Sequence, residues 1–335
     1  MSMEKGHWVK AALHCHTLNS DGLLSPENVV EFYRSRGYGV IAITDHGKIT
    51  RVSKYHDILL LPSTEISIGR SLSGEPFHVL GINIEDEIFK ARNVQEVIDI
   101  IKELKGIAII AHPYWSSLGI EELISLKNYL AIEVYNGGCD IETSKGFSSI
   151  YWDVILSNKK MVYGIAVDDS HRYIYPPIDA DTGWIWIELN DFNDSNFYKA
   201  FINGRFYSSM GPKLYFLNID SNWIESRFTP SKRVNIVSNN GKGLSIDITT
   251  IRSIISLDKE KKSLETIGIN RIDINNEGET TKIWIEGNIV KGIIQLDNNG
   301  ITYIKLNSSR NERYIRLEII DNNGRYAWSN PIFLQ

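Results

Sequence analysis

The segment WVKAALHCHT, residues 8–17, decides the architecture of the first two hundred residues. An apolar run leads into two histidines separated by one residue. On a strand, residues i and i+2 face the same way, so His14 and His16 can reach one metal while Cys15 points to the other face. The plan recurs along the chain. YGVIAITDH (38–46) delivers His46, LLLPSTE (59–65) delivers Glu65, and GIAIIAHP (106–113) delivers His112. MVYGIAVDDSH (161–171) delivers Asp169 and His171, a second i, i+2 pair; SDG at 20–22 adds Asp21, and FHV at 77–79 adds His78. A run of strands that all end in ligand-type residues is what a parallel β/α barrel produces, because its active site is built at the C-terminal rim. Imidazoles and carboxylates collected at one rim point to a polynuclear metal site and a metallohydrolase. The two other histidines, His7 and His56, lack that context and read as surface residues.

Helical segments alternate with these strands. SPENVVEFYRSRG reads as a helix capped by Ser25, with Pro26 at its first position and Gly37 as terminator. NVQEVIDIIKELKG places Val94, Val97, Ile98, Ile101 and Leu104 on one face and ends at Gly106 as the residue past the cap. EELISLKN and SKGFSSIYWDVILSNKK are further helices. This alternation predicts a barrel of roughly seven strands rather than a sandwich.

After Pro212 the pattern changes to short alternating segments, YFLNID, RVNIVS, LSIDITT, KIWIEG, GIIQL, ITYIKL and YIRLEII, with no evident helix. Two DNNG tetrapeptides, 297–300 and 321–324, read as hairpin loops. The expected division is a barrel over 1–212 and a β-sandwich over 213–335. The second is read as a structural or oligomerising accessory, the alternative being a carbohydrate- or partner-binding module. Trp328 and Phe333 read as core packing.

Composition sets further bounds. At 335 residues two domains are expected. A net charge of −5 argues against broad nucleic-acid binding, which needs a basic stripe. Cys15 and Cys139, the latter in a Gly-rich loop, give no disulfide framework and suit a reducing compartment. MSMEKGHWVK lacks an apolar leader core and no stretch reaches membrane-span length, so a cytoplasmic protein with no membrane partner is expected.

The order of motifs resembles that of the polymerase and histidinol phosphatase (PHP) metal-dependent phosphoesterases: an HxH pair, a third residue soon after, a DH pair, a Glu, two separate histidines and a final DxH. Here these are His14 and His16, Asp21, His46, Glu65, His78, His112, then Asp169 with His171, and the match covers roughly residues 7 to 212. The resemblance implies a distorted seven-stranded barrel and two or three divalent ions. It assigns His14, His16, Glu65 and Asp169 to one position, Asp21, His46 and His171 to a second, and Glu65, His78 and His112 to a third, with Glu65 bridging. Asp21 stands where several family members carry His, which favours Mn or Fe over Zn. Asp45 and Asp168, each beside a ligand, either orient one or replace it.

The same site admits hydrolysis of phosphoesters, small phosphomonoesters above all, through a metal-activated hydroxide. A carboxylic ester or carbamate is the alternative that the IEVYNG segment and the C-terminal β domain suggest by resemblance, and a non-catalytic metal-stabilised binding module is the third reading. Candidate phosphate contacts are Lys48, Arg51, Arg70 and Arg172. Tyr114, Trp115, Tyr135 and Asn136 follow strand ends and form either an aromatic wall around a small-molecule substrate or packing between rim loops.

Overall fold

The computed structural model describes residues 6–334 apart from positions 54, 87, 89, 159, 221–222, 261–263 and 308–312. The first five residues of the N-terminal segment read above as free of a leader core lie outside the described residues. Two compact units are formed, His7–Met210 and one built on Gly211–Gln335. No helix among the described residues is long and apolar enough to cross a membrane.

The first unit is a mixed sheet wrapped by helices. Its strands are β1 (Trp8–Ala12), β2 (Tyr38–Ile43), β3 (Leu59–Ile68), β4 (Phe77–Ile82), β5 (Ile107–Ile110), β6 (Ala131–Asn136), β7 (Tyr163–Val167), β8 (Trp184–Glu188) and β9 (Phe206–Ser209). They are ordered β9-β8-β1-β2-β3-β4-β5-β6-β7. The pairs β1–β2, β2–β3, β5–β6 and β6–β7 are parallel. In contrast, β4 runs antiparallel to both neighbours, and β8 is antiparallel to β1 and β9. The ladder therefore holds nine strands of mixed direction, against the seven expected. No backbone ladder joins β7 to β9 among the described residues. The two meet through Ser208, whose hydroxyl donates to the Gly164 carbonyl (2.8 Å) and accepts from the Ala166 N–H (3.1 Å).

Helix α1 (Pro26–Arg34) starts as expected, with Ser25 Oγ accepting from the Asn28 N–H. Helix α2 (Val94–Glu103) is capped by Asn93 and buries Val97, Ile98 and Ile101. Its end differs from the expectation by one residue. Lys105, not Gly106, takes the left-handed conformation (φ 60°), and the Gly106 N–H reaches back to Ile101 O. Gly106 is needed for another reason: a Cβ there would lie 2.2 Å from Ile84. Helix α3 (Ile120–Ser125) starts one residue before the segment expected and ends inside it, and α5 (Ser149–Ser157) lies within its own. Two helices were not expected, α4 (Gly137–Thr143) in the Gly-rich loop and α6 (Asp194–Ile202). The interior is filled by strand residues such as Val40, Leu80, Ile109 and Ile165 together with Phe197, Phe201 and Phe206.

The second unit contains two antiparallel sheets. One has the order β10 (Leu214–Ile219), β11 (Trp223–Ser231), β17 (Gly300–Asn307), β16 (Lys291–Asp297), β15 (Thr280–Gly287), β14 (Ile269–Glu277). The other contains β13 (Gly243–Asp247), β12 (Arg233–Ser238), β18 (Tyr314–Ile320) and β19 (Tyr326–Ser329), with β20 (Ile332–Phe333) also paired to β18. Both DNNG segments are tight connections, with Asp297 and Asp321 accepting backbone N–H groups of their own turns. Trp328 is buried. The unit also contains a helix that sequence patterning did not show: α7 (Ile248–Lys259), capped by Asp247. LSIDITT is thus split, half strand and half helix.

Phe201 is fully buried and stacks on Phe206 at 4.6 Å between ring centroids. Phe201→Ala should lower unfolding free energy by about 3–5 kcal/mol, measured by denaturant titration. A loss below about 1 kcal/mol would show that this part of the interior is not packed as described.

Candidate metal centre

Nine side chains converge where the strands of the first unit end. His14 and His16 follow β1 on backbone that is still extended, since Thr44 N–H bonds to Cys15 O and His16 N–H to Ser170 O. Glu65 lies within β3, His112 just past β5, and Asp169 and His171 past β7. His78 reaches the same rim by a different route: it is the second residue of β4, and because that strand is reversed its beginning lies beside the ends of its neighbours. Asp169 and His171 do not share a strand face as expected. Asp169 adopts a left-handed backbone (φ 55°), and it is this turn that aims its carboxylate inward.

Glu65 is the centre of the arrangement. Its Oε2 lies 3.1 Å from His14 Nε2, 3.2 Å from His16 Nε2 and 3.4 Å from His46 Nδ1. Its Oε1 lies 2.7 Å from His78 Nδ1 and 3.3 Å from His112 Nε2. Asp169 Oδ1 is 3.1 Å from His14 Nε2 and 3.2 Å from His16 Nε2. Asp21 completes the outer part, 3.6 Å from His16 Nδ1, 3.6 Å from His46 Nε2 and 3.5 Å from His171 Nε2. Three overlapping donor sets result, each with its donor atoms within 4.8 Å of one another: His14, His16, Glu65, Asp169; His16, Asp21, His46, His171; and His46, Glu65, His78. His16 joins the second set and His46 the third, while His112 touches Glu65 without entering a set.

The donor chemistry fits divalent cations. His14 Nδ1 faces Glu133 Oε1 at 2.7 Å, so a neutral His14 carries its proton there and turns the Nε2 lone pair into the cluster. That lone pair meets His16 Nε2 at 3.2 Å and two carboxylate oxygens, an assembly of acceptors that only protons or cations can hold together. Without a cation the protons take that role. Burial opposes charge on His14, but Asp169, Glu65 and Glu133 override it and hold the imidazole well above its ordinary range. His16, despite burial, is lifted to about 9 by Asp169 and Glu65. His112 is also raised against burial, chiefly by Glu65 and Glu133. The partners shift oppositely: Glu65 and Asp169, although buried, fall below the usual carboxylate range because of His14 and its neighbours. His46 is lowered, mainly by burial.

The remaining candidates separate into those at the site and those away from it. A cavity of about 460 Å³ opens over the cluster, bordered by Leu23, Trp115, Cys139, Glu142 and Arg172. Arg172 therefore stands at the mouth, its Nε 3.9 Å from Glu142. Trp115 packs edge-on against His112 (5.0 Å). Arg51 instead pairs with Glu85 and borders a different cavity, Arg70 bonds the Gly74 carbonyl of its own turn, and Lys48 is an exposed loop residue. Tyr114 does not border the cavity, and Tyr135 is buried against Phe147. Asn136 is buried beneath the cluster, donating to Glu133 and to Asp169 Oδ2.

Asp45 and Asp168 are loop anchors, and neither contacts an imidazole directly. Asp45 accepts from Thr17, Ser20 and Thr50, and Ser20 Oγ in turn lies 3.3 Å from His16 Nδ1. Asp168 accepts from Tyr33, Thr182 and the backbone of Asp181, Thr182 and Gly183. Sequence reading missed Glu133 and Asp179. Asp179 accepts the N–H groups of His171, Arg172 and Tyr173 and so fixes the loop that carries Arg172. The signal for Glu133 was present: a lone carboxylate inside the otherwise apolar run AIEVY.

No family model matches the sequence. An uncharacterized protein of Methanocaldococcus jannaschii is 30% identical over 117 residues, covering 32% of this chain and 68% of that protein. A 5′-3′ exoribonuclease of Haemophilus influenzae is 34% identical over 82 residues, 23% of this chain and only 29% of that enzyme. Among solved structures, a two-domain protein of Bacteroides vulgatus containing a predicted PHP-like metal-dependent phosphoesterase aligns with a TM-score of 0.51 at 14% identity, over 96% of this chain and 93% of that one. The chain has the fold of that PHP-like protein.

The raised imidazoles give the metal-free centre a defined pH dependence. His16, at about 9 folded against 6.5 ordinarily, contributes stability that is complete below 6.5 and is lost as pH rises through 9. Glu65 and Asp169, depressed on folding, contribute stability above about pH 4 that is lost in acid. Chelated protein should therefore melt highest near pH 5–6 and lower at pH 8.5, with added Mn raising the melting temperature more at pH 8.5 than at pH 6. A melting temperature independent of pH over this range would contradict the assigned interactions. Exposure further predicts the order of metal loss. Asp21 is 53% exposed and His46 36%, whereas His14 and Glu65 are at most 1% exposed. Graded chelation should empty the outer set first, read as stepwise stoichiometry by elemental analysis.

Proposed function

We propose that the chain is a metal-dependent hydrolase that cleaves phosphoesters, with small phosphomonoesters as its substrates. The observation that carries this reading is one buried carboxylate, Glu65, shared by five imidazoles at the floor of a cavity whose mouth holds Arg172. His14, His16, Glu65 and Asp169 would hold one ion, and Asp21, His46 and His171 with His16 a second. Glu65, His78 and His46, with His112 beside them, would hold a third. The carboxylate at Asp21 favours Mn or Fe at the exposed set. Divalent ions at such a set supply Lewis-acid charge and hydroxide at neutral pH.

The protein's own groups define the rest of the chemistry. Arg172 can place two charge-assisted hydrogen bonds on phosphoryl oxygens that gain charge as the ester breaks. Its backbone is pinned by Asp179, so the guanidinium is offered from a fixed point. Leu23 and Trp115 supply an apolar border beside the polar floor and help exclude water from the bound ester. Cys139 borders the cavity, but burial pushes its thiol up, so it stays protonated and does not compete as a nucleophile. The Gly211–Gln335 unit carries none of the nine donor residues, and its proposed part is structural or oligomerising.

The test is a substrate panel with Mn-loaded protein containing phosphomonoesters, phosphodiesters, aryl carbamates and carboxylic esters. Turnover should be highest on phosphomonoesters. Arg172→Ala should lower that efficiency by one to two orders of magnitude, about 1.5–3 kcal/mol, and change carbamate cleavage far less. Carbamate or carboxylic ester turnover above phosphate turnover, or equal losses on both in the variant, would overturn the phosphomonoester assignment. Absence of turnover on every class by fully metal-loaded protein would favour a binding module.

A further inference from the structure

Strand β6 is the member of the parallel group that contributes no donor to the cluster, although it lies between β5, which leads to His112, and β7, which leads to Asp169 and His171. Two of its polar residues, Glu133 and Asn136, are nonetheless fully buried. Glu133 Oε1 meets His14 Nδ1 at 2.7 Å. Its Oε2 accepts from the His112 backbone N–H at 2.7 Å and from Asn136 Nδ2 at 2.8 Å. Asn136 Nδ2 also reaches Asp169 Oδ2 at 3.0 Å, while its Oδ1 accepts the Cys139 N–H and starts α4. One pair of side chains three residues apart thus touches donors that come from three other strands.

We propose that Glu133 and Asn136 form a positioning bracket for the metal centre, setting the tautomer of His14 and the direction of Asp169. The bracket works through hydrogen-bond polarity. Glu133, as an acceptor, draws the imidazole proton of His14 to Nδ1 and leaves the Nε2 lone pair facing the cluster. Asn136, as a donor, occupies Asp169 Oδ2 and leaves Oδ1 beside His14 and His16. The bond to the His112 N–H holds a residue whose backbone is left-handed (φ 25°), a conformation that needs outside support. The proposal adds to the hydrolase reading and is tested without turnover.

Glu133→Gln separates polarity from shape. Two N–H donors converge on Oε2, so the Gln carbonyl is drawn to that side and its NH₂ turns toward His14. A donor there forces the His14 proton onto Nε2, where it blocks the lone pair. The experiment uses the full chain labelled with ¹⁵N-histidine and loaded with Zn, a diamagnetic probe, together with competitive Zn titration. In the wild type His14 should show a protonated Nδ1. In Glu133→Gln, Zn affinity should fall by about 10- to 100-fold, as is typical when a ligand's outer hydrogen bond is lost, with the circular dichroism spectrum unchanged. Unchanged affinity in a folded Glu133→Gln protein would overturn the proposal, as would a His14 protonated at Nε2 in the Zn-loaded wild type. If the variant fails to fold, the wild-type spectrum alone decides.

Discussion

Everything at the rim of the first unit depends on the carboxylate of Glu65 and the imidazoles that surround it. A carboxylate with about 1% exposure is costly to bury unless positive charge and hydrogen bonds meet it, and here five ring nitrogens do so within 3.4 Å. The backbone around Glu65 is fixed just as firmly. Its N–H bonds Thr44 O, its carbonyl accepts from Gly47, and Thr64 Oγ1 donates to Asp45 O. Position and charge are therefore set by the same few residues, and the imidazoles have one place to converge.

Much of this was legible in the sequence because a ligand at the end of a strand leaves a local mark: an apolar run that stops at His, Asp or Glu. His14, His16, His46, Glu65, His112, Asp169 and His171 all follow that rule, and the structure brings them together. What was illegible depended on contacts between distant segments. The reversal of β4 leaves no trace in FHV, since direction is decided by pairing with β3 and β5. Helix α4 begins with Gly137 and Gly138, poor helix formers, yet packing requires them: a Cβ on Gly137 would lie within 1.8 Å of Thr182 Oγ1. Helix α7 is rich in Ile and Thr, whose local preference is for strands, and its cap at Asp247 and the burial of Ile251 and Ile254 override that preference. The four cations proposed as phosphate contacts share one local mark, nearness to a motif: Lys48, Arg51 and Arg172 follow one, and Arg70 lies in the loop before His78. Only Arg172 borders the cavity, because only its loop is folded over the site by Asp179.

The carboxylates of the first unit also show that burial alone does not identify a ligand. Asp45, Asp168 and Glu133 are as buried as Glu65, but their oxygens are spent on hydroxyls, backbone N–H groups and one imidazole edge. Asp168 accepts five such bonds, four of which tie the end of β7 to the loop before β8 and one of which ties it to Tyr33 of α1. Neighbours in sequence, Asp168 and Asp169, thus face opposite ways, one holding the loops and one facing the cluster. The left-handed turn at Asp169 is what separates them.

The reversed strand has a consequence for how the centre comes into being. Glu65 and His78 are 13 residues apart and belong to one hairpin, so they can meet through a short, local search. The contact of His14 with Glu133 spans 119 residues, and that of Tyr173 with His16 spans 157. During synthesis the β3–β4 pair can form early, whereas Asp169 and His171 leave the ribosome only after β6 and β7 have been made. The centre is thus assembled around a hairpin seed that already joins two members of one donor set, while the other two sets are completed only by the last arrivals, Asp169 and His171.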